Sequence, residues 1–434
     1  MSNELYGVIG FLVLLALMAT GMPIAFAFAL VGVFGFSYMV SFQACFSLTA
    51  MTFFNTISSY ELAIIPLFVF MGYIAFYSGV SERLFSAGHK LFGRIRGSLY
   101  MGTIIASALF GACCGSSPAS AATMGAVALP EMRRYKYADS LAGGCVAASG
   151  SLAILIPPSI TLVIYAILTE QSVGKLFIAG IIPGIMMTLL FLIAIIIITR
   201  INPKMAPPAI SSSWKEKLTA LFKGSGEIVI VFTILIGGLF IGLFTPTETG
   251  AIGAAAMLIL ALSRRTISWK GFISSLSESL RTAAMILLII AGAHVFGYFL
   301  AVTRLPFSTA EFVGSLNLSP AIIMVIIVLV YLVLGCFMDT LAMIVLTIPI
   351  FFPVILELGF DPIWFGVMIV IISEMGLITP PVGINVYVIK GVMKDVSLET
   401  IFKGIYPFLI CELILAVILI AFPQIVLFLP GLMK

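Results

Sequence analysis

The chain has 434 residues, of which 62% are hydrophobic and 9% charged, with a net charge of +4 and a mean hydropathy of +1.23. This composition excludes a soluble globular protein and describes an integral membrane protein. The small positive charge belongs to loops facing anionic lipid and carries no sign of nucleic-acid binding. Stretches such as 181–199 and 322–334 are apolar on every side instead of alternating, so the spans are helices and not barrel strands. The cysteines (Cys45, Cys113, Cys114, Cys145, Cys336, Cys411) lack metal-ligand spacing and read as small hydrophobes. No basic stretch precedes the first apolar run, which is therefore expected to be a retained span and not a cleaved signal.

In chain order, apolar runs bounded by charge or by Gly/Pro predict crossings at 5–20, 24–40, 61–79, 140–168 and 176–199. A second set follows at 228–244, 249–263, 282–302, 363–389 and 405–429. Residues 5–40 have an alternative reading, one long helix bent around Gly21-Met22-Pro23. Residues 41–60 are read as an uncharged external loop. Two further apolar segments, 100–130 and 320–356, are broken near the middle, at Gly115-Ser116-Ser117-Pro118 and around Gly335–Thr340. Both are predicted to be re-entrant hairpins, because non-helical backbone at membrane depth is tolerated only under protein or a wet cavity. Residues 203–226 are a polar linker, with a short surface helix expected around Trp214. Trp214, Trp269 and Trp364 are read as interfacial anchors.

The halves on either side of that linker, 1–202 and 227–434, repeat each other. Pro23 recurs as Pro246, Gly111 as Gly335, Pro157-Pro158 as Pro380-Pro381 and Pro183 as Pro407, always 223 or 224 residues later. Nineteen of the 22 Lys/Arg fall in 81–99, 131–139, 200–223, 264–281 and 390–403, which places these segments inside. The first hairpin is then entered from the cytoplasm and the second from outside. The expected fold is an all-α polytopic membrane protein, an inverted repeat of five transmembrane helices plus one hairpin each, with both termini external. That is a layout of secondary transporters with a central site.

The chemistry is expected at the breaks. Two adjacent prolines, Pro157-Pro158 and again Pro380-Pro381, remove two backbone donors each and force the helix to unwind, freeing carbonyls that suit a sodium ion. One sodium site is predicted from Ser116 and Ser117 with carbonyls near Ala153, Ile156 and Pro158. A second is predicted from Gly335 and Asp339 with Gly376, Thr379 and Val382. A helix starting at Pro118 turns its positive N-terminal end to the midplane, where an anion is received without a buried arginine. A carboxylate at the second break, Asp339, requires a partner at that depth. The candidate substrate-binding set is Ser116, Ser117, Ser120, Ser159, Thr161, Asp339, Thr340 and Asn385. Glu61, Glu248 and His294 read as helix-end or interface residues. Glu374 and Glu412 are open between bonding a neighbouring helix and contacting a partner subunit.

Taken in order, Gly115-Ser116-Ser117-Pro118-Ala119-Ser120, Ile156-Pro157-Pro158-Ser159, Pro246-Thr247-Glu248, Phe337-Met338-Asp339 and Thr379-Pro380-Pro381-Val382-Gly383 resemble the large membrane (M) subunit of tripartite ATP-independent periplasmic (TRAP) transporters, the DctM-like family. The resemblance covers essentially the whole chain. It implies an elevator-type, sodium-driven symporter in a bacterial or archaeal inner membrane. It also implies a small four-helix membrane subunit and a periplasmic substrate-binding protein that delivers an organic acid anion, of carboxylate or sulfonate type. The alternative within transport is a stand-alone sodium/dicarboxylate-type symporter. An intramembrane enzyme built on Asp339 has no HExxH, paired-Asp or Ser/His motif to support it, so no enzymatic activity is expected.

Overall fold

A computed structural model describes residues 2–93, 95–207, 226–316 and 318–433; the linker helix expected around Trp214 lies outside the described residues. Every regular element described is helical. The first half comprises α1 (Asn3–Ala19), α2 (Ile24–Met39), α3 (Phe42–Ser58), α4 (Ile64–Tyr77), α5 (Val80–Leu91), α6 (Ser98–Cys114), α7 (Ser117–Arg134), α8 (Asp139–Ser149), α9 (Leu152–Leu155), α10 (Ile160–Thr169) and α11 (Val173–Ile201). The second comprises α12 (Gly226–Phe240), α13 (Pro246–Ser263), α14 (Trp269–Thr303), α15 (Leu305–Ser315), α16 (Pro320–Gly335), α17 (Thr340–Glu357), α18 (Pro362–Ile378), α19 (Ile384–Val392), α20 (Leu398–Ala421) and the short α21 (Gln424–Leu427). Helices beginning at 3, 24, 98, 117, 139, 160 and 173 are matched by helices beginning at 226, 246, 320, 340, 362, 384 and 398, so the spacing of the sequence motifs is also the spacing of the elements.

Many starts are set by side-chain caps. Ser172 accepts from the Lys175 amide, Ser268 from Gly271, Asp361 from Ile363 and Trp364, and Ser397 from Thr400. Thr245 and Glu248 form a reciprocal capping box, which identifies Glu248 as a helix-end residue. The Gly21–Pro23 break folds the chain back on itself. The Tyr6 and Tyr38 rings, 5.3 Å apart, meet at the far ends of α1 and α2, so residues 5–40 are two antiparallel helices and not one bent one. Five described helices, α11, α13, α14, α17 and α20, are long and apolar enough to cross a bilayer singly. Others, such as α1 and α2 with 17 and 16 residues, fall short of the roughly 20 that a full crossing takes.

Three expectations are corrected. Residues 41–60 are not a loop: α3 fills them, capped by Ser41, and α3 with the following segment to Tyr77 makes a pair bent by 56°. Its hydroxyls are spent on the helix itself, Thr52 donating to the Leu48 carbonyl and Ser58 to Phe54, which hides polarity that reads as loop in the sequence. Residues 269–281 are likewise helical, the first turns of the 35-residue α14, so Lys270 and Arg281 ride on a helix. Trp364 is no interfacial anchor. It is 1% exposed, and its indole N–H donates to the Leu419 carbonyl at 2.9 Å.

Packing sorts the helices into two groups. The helices α1, α2, α3, α4, α12, α13 and α14 pack mainly on one another, whereas both broken segments, 100–130 and 320–356, pack on α8–α11 and α18–α20. The crossing predicted at 405–429 belongs to the second group: α20 lies against α8 and buries Glu412. That contact is backbone-close. A Cβ on Gly404 would sit 1.8 Å from the Ser140 carbonyl oxygen, and one on Gly144 would sit 2.1 Å from the Gly404 carbonyl carbon. Small residues permit this approach where lipid gives no hydrophobic drive for association. A Gly404→Val variant must therefore part α8 from α20 and is expected to lose at least the ~1–3 kcal/mol typical of overpacking, read as a lower unfolding temperature in detergent. At the charged edge, Arg133 at the end of α7 grips Asp395 with both terminal nitrogens at 3.0 Å and Asp139 with Nε at 3.0 Å. The guanidinium holds the Asp395 carboxyl below its usual range. The first hairpin is thereby tied to the α19–α20 turn of the second half.

Candidate substrate and cation site

Each hairpin tip is seated by a contact that only small residues allow. In the first, α6 ends at Gly115 with φ +62°, where a Cβ would lie 3.1 Å from the Pro158 carbonyl oxygen. Behind it, a Cβ on Gly111 would lie 2.4 Å from Cα of Ala153. In the second, Gly335 meets Gly376 in the same way, a Cβ on Gly376 lying 2.5 Å from Cα of Gly335. Each tip thus rests on its own broken helix. The first of these is interrupted between Leu155 and Ile160 with a 43° bend, and the second between Ile378 and Ile384, the two intervals containing the diprolines. Both diproline peptide bonds are cis.

Local hydrogen bonds occupy part of the unwound backbone. Cys336 Sγ donates to the Pro380 carbonyl at 3.4 Å, the Thr379 hydroxyl to the Met375 carbonyl at 2.5 Å, and Ser159 Oγ caps α10 by accepting from the Leu162 amide at 3.3 Å. Of the first predicted sodium set, Ala153 and Pro158 lie against the tip of the first hairpin, while the Ile156 side chain is turned to Gly184 of α11. Ser117 Oγ is turned to Asn385, whose amide nitrogen donates to it at 2.7 Å. Of the second set, Gly335 and Gly376 form the contact just described, Asp339 accepts from the Ala342 amide, the Thr379 hydroxyl bonds Met375 of its own helix, and Val382 is half-buried in the unwound stretch.

A cavity of about 180 Å³ lies between the two tips. Gly115, Ser116 and Pro118 line it from the first hairpin, Asp339, Thr340 and Leu341 from the second, and Thr161 from α10. Thr282, Met285 and Ile286 of α14 close it on the side of the other helix group. A neighbouring cavity of about 320 Å³ shares Ser116, Ile160 and Thr282 and runs between α4 and α7, past Tyr73 and Thr123. Four of the predicted substrate residues, Ser116, Thr161, Asp339 and Thr340, are thus brought to the lining of one cavity. The other four, Ser117, Ser120, Ser159 and Asn385, are fully buried behind it. Thr161 Oγ1 and Ser120 Oγ have no hydrogen-bond partner.

The electrostatics of the cavity are asymmetric. Both α7 and α17 begin at its wall, so two helix N-termini face the same space. At the first, Ser116 leaves the amide end open, with no side-chain cap. At the second, Asp339 is itself the cap, accepting from the Ala342 amide at 2.7 Å. The first end suits an anion. The second already carries a carboxylate and suits a cation or a hydroxyl donor.

Two acids left open by the sequence are now placed. Glu374, 1% exposed, accepts from the Thr340 hydroxyl at 2.8 Å; Glu412, 0% exposed, accepts from the Ser151 hydroxyl at 2.8 Å. Both bond neighbouring helices. Sequence reasoning did not assign Glu374 to the site, although its depth in a span was the signal. Thr282 gave no signal. Glu61 lines a third cavity, of about 620 Å³, with Tyr60, Glu170 and Thr247.

Residues 11–425 match the family described as the tripartite ATP-independent periplasmic transporter, DctM component. The chain is 37% identical over 383 residues to the C4-dicarboxylate TRAP transporter large permease protein DctM of Pseudomonas aeruginosa, covering 88% of this chain and 89% of that protein. It is 34% identical over 420 residues to the sialic acid TRAP transporter large permease protein SiaM of Vibrio cholerae, covering 96% and 97%. Among solved structures, the YdaH transporter of Alcanivorax borkumensis superposes with a TM-score of 0.62 over 88% of this chain and 90% of that one, at 15% identity, a likeness of fold. With its helical breaks, its paired tips and this match along nearly its whole length, the chain belongs to the DctM family and is a large permease component of a TRAP transporter.

Proposed function

We propose that the chain carries an organic acid anion into the cell by sodium symport, with the anion in the cavity between the two tips. The open N-terminus of α7 beside Ser116, facing Asp339 across that cavity, carries this reading. A carboxylate substrate meets free amides at the first tip, and sodium offsets the charge that Asp339 and the substrate bring together. Relatives named for C4-dicarboxylates and for sialic acid support a carboxylate as the class of cargo.

The recurring helix starts and the distribution of basic residues support an inverted repeat of 1–202 and 227–434, with the termini outside. The division of the packing into two groups supports an elevator, in which α6–α11 and α16–α20 travel while α1–α4 and α12–α14 stay. The short helices α5 and α15 then act as arms. A cysteine placed near the first tip is expected to be labelled from the cytoplasm in one state and protected in another. Labelling that never varies with sodium or substrate excludes the movement.

Sodium is assigned to the two unwound segments. The test is uptake by proteoliposomes containing the whole transporter, with Ser117→Ala and Thr379→Val compared with the parent. Each change removes a hydroxyl and little volume. The sodium concentration for half-maximal uptake is expected to rise about tenfold, equivalent to ~1.4 kcal/mol, with little loss of folded protein. An unchanged sodium dependence in both variants rejects the assignment.

A further inference from the structure

Behind the cavity wall lies a cluster that shares only Ser117 with the two diproline sites. Glu374 is 1% exposed; one carboxylate oxygen accepts from the Thr340 hydroxyl at 2.8 Å, and Oε2 has no partner. Ser117 lies beside the same carboxylate. Asn385, 0% exposed, spends its amide nitrogen on Ser117 Oγ at 2.7 Å and the Ala147 carbonyl at 3.2 Å, which leaves its Oδ1 unpartnered. Among the described residues no ion pair reaches Glu374, and its ionisable neighbours are two further acids, Asp339 and Glu412. A carboxylate in such a place is costly without a compensating positive charge.

We infer that the Glu374 carboxylate, the Ser117 and Thr340 hydroxyls and Asn385 Oδ1 hold a sodium-class monovalent cation at a third position, apart from the diproline breaks. The ligands are all hard oxygens, and only one carries a full charge, which suits an alkali ion better than calcium or a transition metal. Ser117 and Thr340 are the first residues of α7 and α17, the helices that leave the two tips. A cation here joins both tips directly, so each tip senses whether the other is in place. The site is single. The first-half counterpart of Glu374, 223 residues earlier as for the diprolines, is Ser151, which offers a hydroxyl, bonded to Glu412, and no carboxylate.

The inference rests on the reading that sodium drives transport, and one experiment separates the two. Equilibrium binding of sodium-22 is measured on the purified full chain in detergent, for the parent, Glu374→Gln and Glu374→Asp, with potassium as competitor. The Gln variant, isosteric and uncharged, is expected to bind about one sodium fewer than the parent, and the Asp variant to keep the number with an affinity weakened roughly tenfold. Equal sodium counts in the parent and the Gln variant overturn this third site and leave sodium symport standing. A parent that binds no sodium overturns both. If the Gln variant does not fold, as judged by monodispersity and unfolding temperature, an Asp variant with unaltered affinity overturns the inference, and displacement by equimolar potassium overturns the choice of ion.

Discussion

Replacing Pro380 and Pro381 together with alanine is expected to cut sodium-driven uptake about 100-fold while the protein remains folded. Proline in a helix interior is about 3 kcal/mol less favourable than alanine, and it is this penalty, doubled, that keeps α18 from running on into α19. With alanine at both positions the stretch 379–383 regains two amide donors, and its carbonyls are taken back into the helical ladder. Cys336 then loses the Pro380 carbonyl to which it donates, and the seat beneath the second tip is rebuilt. The tip's own packing, Gly335 on Gly376, lies N-terminal to the change, so the fold survives while the cation site goes. The same substitution at Pro157 and Pro158 should act alike on the first tip. The measurement is sodium-driven uptake of a labelled organic acid anion, with helix content and unfolding temperature as controls. Uptake above about a third of the parent's, with helix content raised, would falsify a functional role for the unwound segment.

What the sequence made legible was local. Gly115, the Pro pairs and the Ser, Thr and Asp caps act on backbone within a few residues of themselves, so the helix breaks fall where the sequence places them. Periodicity failed at α3, where hydroxyls satisfied by the helix's own carbonyls look like loop, and at Trp364, whose indole finds the Leu419 carbonyl 55 residues away. Tertiary pairing was invisible for the same reason. Asn385 reaches Ser117 across 268 residues, Ser151 reaches Glu412 across 261 and Arg133 reaches Asp395 across 262, joining the two halves. No pattern along the chain announces which acid will face which hydroxyl. Ser117, Ser120, Ser159 and Asn385 were read as substrate-binding residues and lie buried behind the cavity, because the sequence does not tell lining from support. That distinction came from the cavity.

The chain alone is expected to move its substrate poorly, with uptake rising about 100-fold when a small membrane subunit and a loaded periplasmic binding protein are both added. A family described as one component of a tripartite transporter motivates the expectation, and the structure supplies a physical ground. Among the described residues, connections between successive helices such as 241–245 and 393–397 are short and offer no domain to capture a ligand from dilute solution. Capture must then come from elsewhere, and the effective concentration of anion at the cavity is set by whatever delivers it. The cavity of about 180 Å³ between the tips has one open helix N-terminus and no basic side chain in its lining. A helix end contributes typically 0.3–1 kcal/mol for an exposed charge and up to ~2 kcal/mol when partly buried, too little for tight unaided binding. The group that stays must also resist the group that slides, and helices of 16 and 17 residues such as α2 and α1 give it a thin footing that a small partner subunit widens. Reconstitution of the chain alone, of each pair and of all three components measures the effect. Uptake by the chain alone as fast as by the full set would mean that the stand-alone symporter is the correct reading and that the cavity binds more tightly than its lining accounts for.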